Sequence, residues 1–310
     1  MTKMKYSTLK HQFIVVYEFF YEVRRMLILR IKYRMRIMSP EHTLRYIKKK
    51  KCSIARFGDG EFDYIMDVRD VGFQVRSQEL TRALEEVLKE KNENLLLCVP
   101  RCMNTIDGCN KHSGDFWIEW GRRDNHHQKI VNMIRSYAGK RYRFGDAQIT
   151  RPYIDWKTDV RAKRTFPMLK SLWKDREIII VEGDQTRLGV GNDLFDGAKK
   201  IERILAPAIG AFEHREKIKN AVLKYYHEQL IIMALGPTAT VLAREFANMN
   251  IQALDIGNVD IEYEWFLRGA KERIPIPGKF TNEAKDGAGR VFTECKDERY
   301  LSQIIDKIEC

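Results

Sequence analysis

Cys52-Ser-Ile-Ala-Arg-Phe-Gly-Asp-Gly-Glu-Phe-Asp-Tyr-Ile-Met66 decides the fold. The apolar run from Ser53 to Phe57 reads as a buried strand. It stops at Gly58-Asp59-Gly60-Glu61, and apolar residues resume at Phe62, Ile65 and Met66 with helical spacing. A strand therefore runs through a turn with two glycines and two carboxylates into a helix. In open α/β sheets, ligands bind at this end of a strand. Gly58 and Gly60 are expected to release the backbone so that both carboxylates face one point. Two oxygen-rich side chains there suit a hard divalent cation, which would grip a phosphate. They equally suit a helix N-cap followed by a first-turn acid. Asp-x-Glu recurs at Asp175–Glu177 and Asp260–Glu262, so spacing alone leaves cap and metal site as open alternatives.

Further buried strands follow the same logic. Asn94–Pro100, Glu177–Gly183, Lys200–Ala206, Gln229–Leu235 and Ile251–Ile256 are short and mostly continuous apolar runs, separated by stretches of helical spacing. About six such strands alternating with helices predict an α/β fold, a mostly parallel, Rossmann-like sheet with helices on both faces. Asp115–Ala138, with Phe116, Trp117 and Trp120 on its first turns, reads as one helix whose aromatics belong to the core or form a sugar platform. Tyr142–Asp155 is a polar stretch with little periodicity that carries Arg151 and Asp155. The segment Asp184–Asp193 is a Gly-rich, Arg-bearing loop that matches neither a Walker A motif nor a dinucleotide fingerprint. After the strand ending at Leu235, Gly236-Pro-Thr-Ala-Thr240 opens a helix, which fits an anion cradle or ordinary capping by Thr238. Ile274–Gly289 reads as an ordered loop, and the last residues as a terminal helix.

The 310-residue chain is long enough for a full α/β core, and its 44% hydrophobic and 32% charged content is that of a globular protein. Its six cysteines form no Cys-x-x-Cys pair, and no secretory signal pattern is present, which suggests reduced thiols and a cytoplasmic location. The net charge of +12 is local. Residues 1–51 hold 14 Lys and Arg against 3 Asp and Glu, which is +11 of the total. A nearly neutral remainder argues against a nucleic-acid surface. From about His11 to Met38, Phe13, Val16, Phe20, Val23, Leu27, Ile31, Met35 and Met38 recur at steps of three and four. This predicts a basic amphipathic helix over residues 1–38, too polar to span a bilayer. It either lies on an anionic membrane surface or packs on the core or on a second subunit of a homo-oligomer. Residues 39–310 form the single α/β domain.

Five blocks carry a resemblance: 53–61 (Ser-Ile-Ala-Arg-Phe-Gly-Asp-Gly-Glu), 149–155 (Ile-Thr-Arg-Pro-Tyr-Ile-Asp), 181–195, 234–240 (Ala-Leu-Gly-Pro-Thr-Ala-Thr) and 254–265 (Leu-Asp-Ile-Gly-Asn-Val-Asp-Ile-Glu-Tyr-Glu-Trp). In this order they resemble the bacterial GT-D type glycosyltransferases, over about Ser39 to Asn282. The resemblance implies metal-dependent transfer of a hexose from a UDP-sugar, UDP-glucose or UDP-galactose, to a glycan, lipid-linked or glycoprotein acceptor. It further implies a role in bacterial surface-polysaccharide or adhesin glycosylation, in the cytoplasm or at the inner face of the membrane. Asp59 and Glu61 would then hold Mn²⁺ or Mg²⁺. Arg56, Arg151 and Arg187 would meet the diphosphate, with Gly58, Gly236, Pro237, Thr238 and Asn258 completing the nucleotide-sugar site. Asp155, Glu182, Asp193 and Asp260 are the candidates for a base that takes the acceptor proton. The family pattern has histidine where this chain has Asn258. A phosphate-ester hydrolase or other nucleotide-using enzyme on the same sheet, and a non-catalytic membrane-surface protein, remain as alternatives.

Overall fold

The structure, a computed structural model, describes residues 31–68, 74–284 and 293–309. Its strands are β1 (Arg36–Ile37), β2 (Ser53–Arg56), β3 (Leu95–Val99), β4 (Arg143–Asp146), β5 (Glu177–Gly183), β6 (Lys200–Ala206), β7 (Leu230–Ala234), β8 (Ala253–Asp255) and β9 (Ile304–Lys307). They form one sheet in the order β1-β4-β3-β2-β8-β7-β5-β6-β9, and every pairing is parallel. The α-helices among the described residues are α1 (Pro40–Lys50), α2 (Asp59–Ile65), α3 (Gln78–Lys89), α4 (Lys111–Arg122), α5 (His126–Tyr137), α6 (Val160–Trp173), α7 (Arg215–Tyr225), α8 (Pro237–Asn248), α9 (Val259–Leu267) and α10 (Glu298–Ser302).

The continuous apolar strands are explained by cover on both faces. Alternate residues of β5 serve two separate cores. Ile179 and Val181 pack with Leu84, Val222 and Phe246, whereas Ile178 and Ile180 pack with Leu44, Phe166 and Trp265. The chain leaves β2 toward β3 and β4 on one side and later returns along β5 to β8 on the other. The order therefore reverses at β2/β8, and the crevice for a ligand opens beyond the carboxyl ends of those strands.

Three strands escaped the sequence pattern. Arg36–Ile37, expected inside the N-terminal helix, pairs with Arg143–Phe144 as the edge strand β1. The three-to-four spacing of Met35 and Met38 reflects two buried side chains of an extended chain, held where Asn104 bonds both the N–H (2.9 Å) and the C=O (2.8 Å) of Met35. The rest of the expected helix, to residue 30, lies outside the described residues. β4 carries Gly145 and the buried Asp146, so it lacks an apolar run. The terminal helix is one turn only, and Ile304–Lys307 adds β9 to the edge of β6. The helix expected over Asp115–Ala138 starts earlier and breaks at Arg123–Asn125, where Asp124 (φ 46°) and Asn125 (φ 55°) are left-handed.

Candidate active site

A cavity of about 540 Å³ opens at the switch point. At its floor, Arg56 ends β2 and is fully engaged. Its Nη2 meets Asp255 Oδ1 at 2.9 Å, its Nε donates to the Asp255 carbonyl at 2.7 Å, and its Nη1 donates to Thr150 Oγ1 at 2.7 Å. Asp255 Oδ2 also accepts from the Arg56 N–H (3.1 Å) and from Thr240 Oγ1 (3.1 Å). This arginine ties β2 to β8 and to the 147–150 turn. Gly257 (φ +44°) has to be glycine, because a Cβ there would collide with the Arg56 guanidinium.

Gly58 caps α2 without a side chain, and its N–H donates to Glu61 Oε2 at 2.7 Å, which is the N3 half of a capping box. Asp59 and Glu61 also line the cavity. The expected backbone release at the glycines is not used: Gly58 has φ −109°, and Gly60 lies within the helix. The turn is made by the cap. Cap and cation are compatible readings, since the cap occupies one Glu61 oxygen. Burial pushes the Glu61 carboxyl up to about 7, and the nearby charges of Asp255 and Asp59 add to the rise. Crowded carboxylates of this kind are relieved by a cation. Among the described residues no group of three or more His, Cys, Asp or Glu is set to hold a metal ion. Two carboxylates nevertheless fit Mg²⁺-like ions, which take one or two protein carboxylates and fill their shell with phosphate oxygens and water.

A second wall is built from charges. Arg151 Nη1 and Nη2 fork onto the two oxygens of Glu283, Nη2 at 2.7 Å, and its Nε donates to Asp155 Oδ2 at 3.2 Å. Arg273 reaches the same acids, Asp155 at 2.7 Å and Glu283 at 3.3 Å. Although burial opposes it, the Arg151 and Arg273 guanidiniums hold Asp155 and Glu283 below the usual carboxylate range. Asn258 Nδ2 donates to Glu283 Oε1 at 3.3 Å. Behind them Glu262 is fully buried. Its Oε2 accepts from the N–H groups of Tyr153 (3.0 Å) and Ile154 (3.1 Å), while Oε1 has no hydrogen-bond partner among the described residues. Burial pushes Glu262 up to about 8, with Arg151 opposing.

A pH prediction follows from Glu262. Its folded pKa lies above the ordinary value, so the stability it contributes is complete below about pH 4.5 and is lost as pH rises through 8. Thermal melts of Glu262→Gln, which preserves the acceptor oxygen, are expected to show a flatter pH slope between 5 and 8. The difference should be up to about 1.4 kcal/mol per pH unit. Parallel slopes in variant and parent would contradict it.

The remaining expected site residues divide clearly. Asp260 lines the cavity and is bound by the buried Lys279 (2.6 Å), the Gly189 N–H (2.9 Å) and Asn192 (2.8 Å). Gly236 (φ +56°) lines it at the start of α8. Pro237 and Thr238 are buried in the first turn of that helix and do not line the cavity. Glu182 does not reach it either. It is fully buried against Arg203 (2.6 Å) and the Leu188 N–H (2.6 Å). Asp193 faces outward, bound by Lys170 (2.7 Å) and Tyr263 (2.6 Å). Arg187 donates to the carbonyls of Gly278 (2.8 Å) and Thr293, which fastens the 274–284 loop. Their polar partners turn these three side chains away from the cavity. Spacing missed Asp255, Arg273 and Glu283, whereas Phe116 and Trp117, read from the sequence as core or sugar platform, line the cavity. Of these, only Asp255 lay in a recognisable block.

The family model described as "Glycosyltransferase GT-D fold" matches residues 54–284, from the middle of β2 to the loop that carries Glu283. The chain belongs to the GT-D glycosyltransferase family. A solved "New Glycosyltransferase (DUF1792)" from Streptococcus sanguinis superposes with a TM-score of 0.80 at 34% identity, over 89% of this chain and 100% of that one. A second solved structure, described as domain of unknown function 1792 with "a distinct glycosyltransferase fold", also gives 0.80, at 31% identity over 91% and 98%. The probable glycosyl transferase Gly of Streptococcus gordonii is 37% identical over 270 residues, and glycosyltransferase GlyD of Streptococcus pneumoniae serotype 4 is 34% identical over 269. The chain spans only 38% and 32% of the length of those two relatives. Among its described residues no helix is long and apolar enough to cross a membrane.

Proposed function

We propose that this enzyme transfers a hexose from a UDP-sugar, UDP-glucose or UDP-galactose, to a glycan, lipid-linked or glycoprotein acceptor, with Mn²⁺ or Mg²⁺ as cofactor. One observation carries the reading. Asp59 and Glu61 share a single cavity with the glycine turn that opens α8 and with Arg151. Asp59 and Glu61 would hold the ion, which when bound supplies Lewis-acid neutralisation of the charge gathering on the departing UDP. Gly236 brings the N-terminus of the twelve-residue α8 to the cavity, where helix N–H groups favour an anion. Arg151 presents the fork that suits a phosphate as well as it suits Glu283. Asn258, at the family's histidine position, orients Glu283 by its amide.

Placement in the cavity leaves Asp155 and Asp260 as candidate bases and adds Glu283. Among Asp155→Asn, Asp260→Asn and Glu283→Gln, the base is expected to be the one that lowers kcat by about 10²–10⁴ with UDP affinity retained. Unchanged kcat in all three would contradict a carboxylate base in this set.

The donor is tested by incubating the chain with UDP-glucose, UDP-galactose and their N-acetyl forms, with Mn²⁺, Mg²⁺ or chelator, and measuring free UDP and free phosphate. Ion-dependent release of UDP from one donor is expected. Release of phosphate without UDP would contradict it. The pathway we assign is bacterial surface-glycan or adhesin glycosylation, in the cytoplasm or at the inner face of the membrane. Removal of residues 1–30 is expected to alter location or acceptor access without altering donor turnover. The cut stops short of Tyr33 and Met35, which are buried in the core.

A further inference from the structure

The cavity extends along the strand order, and its two ends differ. Beyond β5 and β6 it is lined by small and aliphatic groups, Gly183, Leu188, Ala208 and Ala211, with Leu188 only 1% and Ala211 5% exposed. Beyond β3 it is bounded by Ser113, Phe116 and Trp117 of α4, with Gln148, and here Phe116 is 37% exposed. Asp59, Glu61 and Gly236 lie between the two ends. A diphosphate held there sends the nucleoside to one end and leaves the other for the sugar and its acceptor. A nucleobase is bound once per turnover in a fixed pose and gains from an enclosed slot. An acceptor glycan has to enter from solvent and leave longer by one ring, which requires the open end.

We propose that Phe116 and Trp117 form the acceptor subsite, where a pyranose ring of the acceptor glycan lies against the aromatic side chains. The inference rests on the glycosyltransferase reading above and extends it to the second substrate. Sugar rings expose a face of C–H groups that gains from contact with aromatic carbon, and aromatic carbon is what this end offers, since the buried Gln148 amide is already bonded to the Cys102 N–H (3.1 Å) and Sγ (3.0 Å). The wall is rigid. Trp117 meets Phe116 edge-on at 5.5 Å and 81°, and meets Trp120 at 5.2 Å and 79°. Trp120 is buried and donates from Nε1 to Asp63 Oδ1 at 2.9 Å, and His126 Nε2 lies 3.0 Å from the same oxygen. Asp63 sits one turn after Asp59 on α2. The aromatic wall is thereby fixed relative to the carboxylates that would hold the ion, so an acceptor seated on it keeps a constant distance from the donor's reacting carbon.

The test uses the full chain with MnCl₂ and UDP, and the variants Phe116→Ala, Trp117→Ala and Trp117→Phe. Binding of cellobiose, lactose and N-acetyllactosamine is titrated by saturation-transfer NMR, and UDP affinity is measured by calorimetry. The parent is expected to bind at least one disaccharide. Each alanine variant should weaken that binding tenfold or more with UDP affinity within twofold, and Trp117→Phe should retain most of it. Phe116→Ala guards against misfolding as the cause, because its side chain is on the surface. A tenfold loss of UDP affinity with disaccharide binding intact would place the nucleobase on this wall and overturn the proposal. So would unchanged affinities in every variant, or a parent that binds UDP and none of the three sugars. A parent that binds no UDP at all would instead bring down the parent reading, and this inference with it.

Discussion

Replacing Asp59 or Glu61 with alanine is expected to lower sugar transfer by about 10³-fold or more while the chain remains folded. Loss of an ion that neutralises a leaving diphosphate removes several kcal/mol of transition-state stabilisation, and about 1.4 kcal/mol is a factor of ten. The structural cost is smaller. Glu61→Ala forfeits the hydrogen bond to the Gly58 N–H, worth about 1 kcal/mol for a cap of this kind. Glu61→Gln separates the two roles, because its amide oxygen still accepts from the Gly58 N–H while the carboxylate charge is gone. Activity and thermal stability measured together decide between them. If Glu61→Gln keeps both its melting temperature and its turnover in chelator, the carboxylate is a cap and nothing more.

Arg151→Ala is the second large effect. Its guanidinium answers Glu283 and Asp155 directly and lies 3.9 Å from Glu262. Removing it leaves the buried Asp155 and the partly exposed Glu283 sharing one remaining cation, Arg273. Breaking a buried pair from one side costs about 3–5 kcal/mol. A marked fall in melting temperature is expected, together with loss of donor turnover. Arg151→Lys keeps the charge and loses the fork, so it should recover part of the stability and little of the activity. Full activity in Arg151→Lys would show that no planar bidentate contact is used there.

The sheet was legible in the sequence wherever a strand is buried on both faces, since β3, β7 and the centre of β5 are then purely apolar, and β2 keeps an apolar centre between Ser53 and Arg56. β1, β4 and β9 were not, because their partners satisfy polar groups that carry no periodic signal. In β4, the buried Asp146 is satisfied by Arg161 at 2.8 Å and by the Gln148 N–H at 2.9 Å. The Asp59–Glu61 turn stood out because a strand stops abruptly at a carboxylate pair. Arg151 and Asp155 stood out as charges in an aperiodic stretch. Glu283 lies 132 residues from Arg151 and reaches it through a loop whose path no local pattern encodes. Glu182 and Asp193 fit the same sequence criteria as Asp155, yet cross-strand and surface partners turn them elsewhere. Proximity to a strand end locates a loop, and the partners decide where each side chain points.

The most direct test is a crystal soaked with MnCl₂ and UDP, read by anomalous scattering at the manganese edge. A peak within ligand distance of Asp59 and Glu61, bridged to both phosphates with the diphosphate over the Gly236 turn, is the expected result. UDP bound in the cavity with no anomalous peak at those carboxylates would contradict it.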